Sequence, residues 1–496
     1  MPNRRALSPA VVLTACSLAA AAGIDPRSRV EVSEDGLTRV ELTLADSAPA
    51  HASTRGTTPF PLTPDWTLAL RRQVGAVRIA DMNADGLRDI VVCCYISNSV
   101  PAYPAWRDLI FFNQGGGTFT QTPGWVSTDQ SHTGDAQIAD IDMDGDLDLL
   151  AVTGGGGFPA PRIYFGGDPN GPTPSAPNQT AGWIATPPTS GWATSAALFD
   201  ADNDNDLDII TTNQGVSPNP FRPMYFFRNL TAQGAGIPTA PVWQSGESSI
   251  QNSVAAADFD HDGLPEIAVA KWVNFRSALY ENIAGTPSLA PTWEVTTTNG
   301  DRGTAWADVD NNGWTDLVIG GSSTVPTRLY SNTNGVLTQT WSPTLAFVGQ
   351  QELTLEDINR DSRPDYADVH FSNGQTHIFL NSNGTLNNTP DWTFDAPEVG
   401  TALDFGDVNG DNWPDLVVGY SGDNSVRLFI AVPPPPPPCP ADLNGDSQVN
   451  TQDLTILLFN FASTVPPNTL GDLNGDGTVN TQDLTLFLSA FGNACP

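Results

Sequence analysis

The chain has 496 residues, too many for one small domain, and 39% of them are hydrophobic, enough for a sizeable core. Its formal charge is −34 and Lys271 is the only lysine, which argues against nucleic acid or an anionic membrane surface as partner. With 42 prolines and 45 glycines it reads as a chain of turns rather than of long helices.

The N-terminus, "MPNRRALSPAVVLTACSLAAAAG", places two arginines before an alanine-rich apolar run that ends in small residues. This is the pattern of a secretory signal over residues 1–22, with cleavage after Ala22. "LTAC" at 13–16 also resembles a bacterial lipobox, which would leave a lipidated Cys16 as the new terminus. No later segment is long and apolar enough to span a bilayer. The expected location is therefore secreted, or held at the cell surface. In the next segment, 23–58, "RVEVSEDGLTRVELTL" suggests a hairpin.

From residue 59 a loop recurs. "DMNADGLRD" begins at Asp81, "DIDMDGDLD" at Asp140, "DADNDNDLD" at Asp200 and "DFDHDGLPE" at Asp258. "DVDNNGWTD" begins at Asp308, "DINRDSRPD" at Asp357 and "DVNGDNWPD" at Asp407. Oxygen side chains stand at positions 1, 3, 5 and 9, with Gly, Asn or Ser at 6 where the backbone must bend. The predicted ligands are Asp81, Asn83, Asp85, Asp89; Asp140, Asp142, Asp144, Asp148; and Asp200, Asp202, Asp204, Asp208. They continue with Asp258, Asp260, Asp262, Glu266; Asp308, Asp310, Asn312, Asp316; Asp357, Asn359, Asp361, Asp365; and Asp407, Asn409, Asp411, Asp415. Alternate oxygens of a tight turn converge on one point, and Ca²⁺ takes six to eight oxygens in a flexible shell. A divalent cation would cancel the repulsion between these acids, so up to seven Ca²⁺ are expected here.

An EF-hand needs an acid at position 12 and flanking helices. Position 12 is instead Val92, Ala151, Thr211, Val269, Ile319 or Val418, with only Asp368 departing. These are loops between strands. After each comes an apolar run such as "DIVVCCY" or "DLVVG", a strand buried on both sides. Before each lie small residues ("SVAAAD", "GTAWAD") suited to strands crowded near an axis. A third strand follows ("LIFFNQGG", "MYFFRNL", "RLYSNTNG"), and then a fourth that carries a tryptophan. Four strands per unit and seven units predict a mainly β, seven-bladed propeller over 59–432.

Trp66, Trp125, Trp183, Trp243, Trp293, Trp341 and Trp392 each precede a loop. None follows the last repeat, so the strand around Trp66 is predicted to complete the final blade by pairing with 425–432. The neighbouring Cys93 and Cys94 fall in one strand and point to opposite faces, as two buried small residues rather than a redox pair.

These units resemble FG-GAP/VCBS repeats, the blades of integrin α-subunit propellers and of many bacterial surface proteins. The resemblance implies calcium sites on one face of the ring and ligand binding on the opposite one. In integrins only some loops hold calcium, whereas all seven look competent here. On the opposite rim, where the second strands end and the sequences diverge, the candidate ligand face is Tyr95, Asn213, Lys271, Trp272, His370 and Tyr420.

Six prolines, 433–438, predict a polyproline II spacer of about 19 Å. The last domain, 439–496, holds two near-copies, "DLNGDSQVNTQDLTILLFNF" and "DLNGDGTVNTQDLTLFLSAF". Here the position-12 acid is present: Asp442, Asn444, Asp446, Asn450 and Asp453 in one, Asp472, Asn474, Asp476, Asn480 and Asp483 in the other. Leu454, Leu457, Leu458 and Phe461, like Leu484, Phe487, Leu488 and Phe491, fall at helical spacing, predicting one amphipathic helix after each loop. Cys439 and Cys495 bracket the domain and are expected to pair in an oxidising compartment.

This pair resembles a small all-α type I dockerin. The resemblance implies two further Ca²⁺ and docking of a cohesin through positions 10 and 11, here Thr451, Gln452, Thr481 and Gln482. No Lys or Arg follows Arg427, whereas dockerins often carry basic residues on these helices.

Three functions compete. One is a secreted, non-catalytic module that recognises glycan or protein and is attached through its dockerin. Another is a polysaccharide lyase or glycoside hydrolase of a cellulosome-like system, with Lys271, His370 or Tyr420 as base. The third is a structural surface protein reinforced by calcium. The sequence holds no metal-ligand histidine cluster, Ser/His/Asp arrangement or phosphate loop that would decide for catalysis.

Overall fold

The computed structural model describes residues 31–32, 38–39, 58–68, 72–95, 107–130, 132–153, 160–167, 176–189, 191–215, 220–272, 275–297, 300–322, 325–344, 349–422, 426–432, 439–444, 448–465, 470–474 and 476–492. The expected signal at 1–22, Cys16, the proline spacer at 433–438, Asp446 and Cys495 lie outside them. The chain forms two compact units, Met1–Gly56 and Thr57–Pro496. In the first, Glu31–Val32 pairs antiparallel with Thr38–Arg39, the expected hairpin.

The second unit is dominated by four-stranded antiparallel meanders, and its only helices among the described residues are two short ones near the end. Each position-9 acid is the first residue of a second strand: Asp89–Tyr95, Asp148–Thr153, Asp208–Gln214, Glu266–Trp272, Asp316–Ile319, Asp365–His370 and Asp415–Gly422. The turn thus delivers the chain directly into an apolar strand, and these strands are almost wholly buried because neighbouring sheets cover both faces.

Five four-stranded sheets stand as separate blades, not the seven expected. The other eight strands hydrogen-bond as a single sheet. The joint is short and has a plain cause. Asp415–Gly422 runs on far enough for Ser421 and Gly422 to pair with Gln73 and Arg72 of the strand Arg72–Ala80.

Within that sheet Trp66–Leu68 pairs antiparallel with Val426–Phe429, Trp66 opposite Leu428. The first propeller strand therefore completes the last four-stranded set, as the tryptophan count predicted. The tryptophans also explain how neighbouring sheets pack. Trp125 lies edge-on to Tyr164 of the next repeat at 5.5 Å, Trp183 to Phe227 at 5.5 Å, Trp293 to Tyr330 at 5.1 Å and Trp392 to Phe429 at 5.5 Å. Trp66 meets Phe111 of the first repeat in the same way, at 5.7 Å. Such pairs contribute about 0.5–1.5 kcal/mol each beyond the area they bury.

Cys93 and Cys94 are both buried, and they join different core clusters on the two sides of their strand, as alternation requires. The inner strands, with their small residues, line a central cavity of about 440 Å³.

Near the C-terminus, α1 (Thr451–Phe459) and α2 (Thr481–Ala490) each begin with an Asn–Asp capping box, Asn450 with Asp453 and Asn480 with Asp483. Their common core is Ala441, Val449, Leu457, Val479 and Phe487. The predicted stripe is only partly inward. Leu457 and Phe487 are buried, whereas Leu458, Phe461, Leu488 and Phe491 are exposed, because so small a core fills after one large side chain per helix. Cys439 is disulfide-bonded.

Candidate metal-binding loops and channel

The first loop shows how the sequence makes the turn. Asp81 accepts backbone N–H bonds from Asp85 (3.1 Å) and Gly86 (2.8 Å), Asn83 accepts from Asp85 (3.1 Å), and Asp85 from Leu87 (2.8 Å). Positions 4 and 6 both take left-handed backbone: Ala84 and Gly86 here, Met143 and Gly145, His261 and Gly263, Arg360 and Ser362 elsewhere. Position 6 was legible as Gly, Asn or Ser; position 4 was not, because the turn imposes a positive φ even on Met143 and Arg360.

The position-9 acid is fully buried and bridges two elements. Asp89 accepts from Met82 N–H at 3.0 Å and from Asn113 N–H at 2.9 Å. Asp148, Asp208, Asp316, Asp365 and Asp415 repeat this double bond. Burial pushes Asp89, Asp148 and Asp208 up to about 7, Glu266 and Asp365 to about 8, and Asp316 and Asp415 to about 6. These carboxylates sit where a counter-charge is wanted.

The donor set fits a hard cation. Carboxylate oxygens of Asp140, Asp142 and Asp148 lie within 4.8 Å of one another, as do those of Asp258, Asp260 and Asp262, and of Asp308, Asp310 and Asp316. Asp142, Asp258 and Glu266 each keep a buried oxygen with no hydrogen-bond partner among the described residues. The third loop differs: Arg228 pairs with Asp202, so a guanidinium already takes part of that charge.

A residue absent from the sequence-based ligand list ties the loops together. Asn113, Asn229, Asn282, Asn332 and Asn381 stand just after or at the end of the third strands and are buried. Each side-chain NH₂ donates to the position-8 carbonyl of its own loop and to the position-2 carbonyl of the preceding one. The cross-repeat bonds run to Val408, Ile141, Ala201, Phe259 and Val309 at 2.7–2.8 Å. Gly166 and Ala431 occupy the equivalent places in the other two repeats. The recurring Asn in "IFFN", "FFRN" and "LYSN" was the available signal.

A family model described as FG-GAP-like repeat matches residues 81–151 and 357–418. The chain carries FG-GAP-like repeats. A search among curated proteins gave no match. Among solved structures, "Crystal structure of BBS1N in complex with ARL6DN, soaked with lead" aligns over 74% of this chain and 94% of its own, at 13% identity and a TM-score of 0.47.

At the far ends of the second strands of these FG-GAP-like repeats, the predicted ligand face is corrected for four of its six residues. Asn213, Lys271, His370 and Tyr420 are buried, because neighbouring sheets still cover the strand at that point. Asn213 donates to Thr211 O (3.1 Å) and Pro223 O (3.0 Å). Lys271 pairs with Glu247 and donates to Tyr280 Oη (3.1 Å). His370 lies against Asp368, and the Tyr420 ring carries the Arg427 guanidinium at 4.5 Å. Tyr95 and Trp272 are partly exposed. Trp272 supports Arg302, whose guanidinium stacks 4.0 Å above its ring and donates to Gln351 Oε1 at 3.0 Å.

Arg302 also lines the central cavity, with Arg78, Asp135, Glu352 and Asp404. Arg78 meets Asp135 at 2.6 Å and Glu352 at 3.0 Å. Burial pulls its guanidinium down, but Glu352, Asp135 and Asp404 together outweigh that and hold it above its usual value. Burial pushes Glu352 up to about 7. The sequence reading found the small residues of these strands but not their charges.

In the C-terminal pair, Asp453 accepts from Leu443 N–H (2.8 Å) and Asn444 N–H (3.0 Å), and Asp483 likewise from Leu473 (2.8 Å) and Asn474 (3.1 Å). Thr451, Gln452, Thr481 and Gln482 are exposed on the first turns of the helices, and Leu458, Phe459 and Leu488 are exposed toward their other ends.

Proposed function

We propose that the chain is a secreted or surface-held calcium-binding recognition module, non-catalytic, which binds a glycan or protein on its propeller and attaches to a partner through its C-terminal pair. The observation that carries the calcium reading is the loop itself: among the described residues four of the seven loops bring three carboxylates within 4.8 Å, some with unpartnered buried oxygens, and of these four only the third loop pairs one with a positive side chain. Bound calcium would neutralise that charge and lock the turn to the strand that follows it. Up to seven ions would sit in the propeller, the third loop binding more weakly because Arg228 competes for Asp202.

The ring counts seven repeats on this reading. The eight-stranded sheet divides at its two-residue joint, and Trp66 packs on Phe111 as the other tryptophans pack on their neighbours. The recognition surface moves from the buried strand ends to the central cavity, which Arg302, stacked on Trp272, lines with a cation.

The C-terminal pair reads as a dockerin-like domain taking two more Ca²⁺. Leu458, Phe459 and Leu488, exposed on the same helices as Thr451 and Thr481, supply the apolar surface that a cohesin-type partner would cover. No specific observation favours the enzyme reading, since the three bases it would use are buried.

The test is a glycan array probed with the calcium-loaded chain and repeated in EDTA, with hits checked for cleavage products. Calcium-dependent binding without cleavage is expected. Cleavage would overturn the non-catalytic reading, and identical binding in EDTA would overturn the calcium requirement.

A further inference from the structure

One repeat departs from the others at position 12, where Asp368 replaces an apolar or small residue, and the departure does not stand alone. His370 lies two residues along the same strand, and His377 is the direct cross-strand partner of Asp368. Alternation and register therefore bring all three side chains to one face. His370 Nε2 and His377 Nδ1 each lie 3.1 Å from the same oxygen, Asp368 Oδ1. The two rings meet edge-on at 4.8 Å, and all three residues are buried, none more than 3% exposed. Tyr366 donates from its hydroxyl to Asp368 Oδ2 at 2.8 Å, fixing the carboxylate from behind.

We propose that Asp368, His370 and His377 form a site for one divalent transition ion of the zinc class, chemically distinct from the calcium loops. Two imidazole nitrogens and one carboxylate oxygen are a borderline-soft donor set that suits zinc and is poor for Ca²⁺, which takes oxygen. Donors about 2.0–2.1 Å from a tetrahedral ion stand about 3.3 Å from one another, close to the two separations found here. The trio fills three of four positions, and the Tyr366 hydroxyl is the outer hydrogen bond that such sites use to orient a ligand. Its position also separates it from the loop acids: His370 closes the strand that Asp365 opens.

The test uses the full chain, refolded in excess Ca²⁺ with Zn²⁺ or Co²⁺, then dialysed against buffer containing Ca²⁺ alone. One retained Zn²⁺ per chain by mass spectrometry is expected, and with Co²⁺ the strong visible absorption of a low-coordinate, nitrogen-ligated ion. His377→Gln should lose the ion, and Tyr366→Phe, which keeps the ring in its pocket, should weaken zinc about 10- to 100-fold. A folded wild type with no retained ion and no Co²⁺ band overturns the proposal and leaves a hydrogen-bonded trio. Equal retention by wild type and His377→Gln overturns it too, by placing the ion elsewhere.

Discussion

Replacing Asn332 with Ala tests whether the buried asparagines hold the repeats together. Its side chain donates to Phe259 O at 2.7 Å and Thr315 O at 3.1 Å and accepts from Gly335 N–H at 2.9 Å, with no exposed surface. Its backbone N–H bond to Asp316 (2.7 Å) survives the change. Losing the Thr315 and Gly335 bonds removes about 1 kcal/mol each, and stranding the Phe259 carbonyl in a dry junction costs about 1–3 kcal/mol in place of its bond. The expected loss is about 3–5 kcal/mol, read as a lower urea midpoint followed by tryptophan fluorescence in saturating Ca²⁺. Phe259 is position 2 of the fourth loop, so that loop should also bind Ca²⁺ more weakly in the variant. A midpoint shift worth less than about 1 kcal/mol, with calcium affinity unchanged, would mean that the cross-repeat bond contributes nothing to ring stability.

Three further outcomes are expected. Chelation should lower the melting temperature, and the chelated chain should lose stability as pH rises: its position-9 acids sit at about 6 to 8 when folded, against about 4 when unfolded. The folded state then binds more protons between pH 4 and 8, so stability falls across that window, and melting curves at pH 5 and pH 8 that coincide in EDTA would refute the assignment. Deleting residues 59–68 exposes the edge of Val426–Phe429 and should produce oligomers on gel filtration, whereas a monomer melting like wild type would show that this strand closes nothing. Leu458→Ser with Leu488→Ser should leave both helices and the melting curve intact while abolishing capture of a cohesin-type partner, and unimpaired capture would place docking elsewhere.

Much of the fold was legible because the loop is a strong local signal. An acid at position 9 followed by four apolar residues can only be a turn entering a doubly covered strand, and Asp89, Asp148 and Asp415 begin such strands. Trp66 was legible by counting, since only six of the seven tryptophans follow a repeat and the last repeat must take its fourth strand from the other end. The blade count was not, because whether Ser421 pairs with Gln73 depends on how far one strand runs before it turns. The ligand face failed for a related reason. Sequence divergence marks where repeats differ, not where solvent begins, and nothing local says that the next sheet still covers Lys271 or His370. The charges on Arg78, Asp135 and Glu352 were missed because each sits alone in its own strand; only closure of the ring brings them within 3.0 Å.

The buried strand ends also change what their variety means. If Cys94, Thr153, Asn213, Lys271, His370 and Tyr420 faced a ligand, their differences would record its shape. Buried instead, each needs its own partner, and each has one nearby: Thr153 donates to Ala160 O, Lys271 pairs with Glu247, Tyr420 meets Thr376 Oγ1 at 3.2 Å and carries Arg427. An unmatched polar group at such a place costs about 1–3 kcal/mol, so a residue moved from one repeat to another would lose its partner and weaken the junction. The differences therefore act as labels that make each sheet fit one neighbour. Repeats built on one loop-and-strand pattern need such labels, because any blade could otherwise pair out of order during folding. The surfaces free of this constraint are elsewhere, and on the proposed reading recognition would fall to the cavity that Arg302 lines and to the exposed helices of the C-terminal pair.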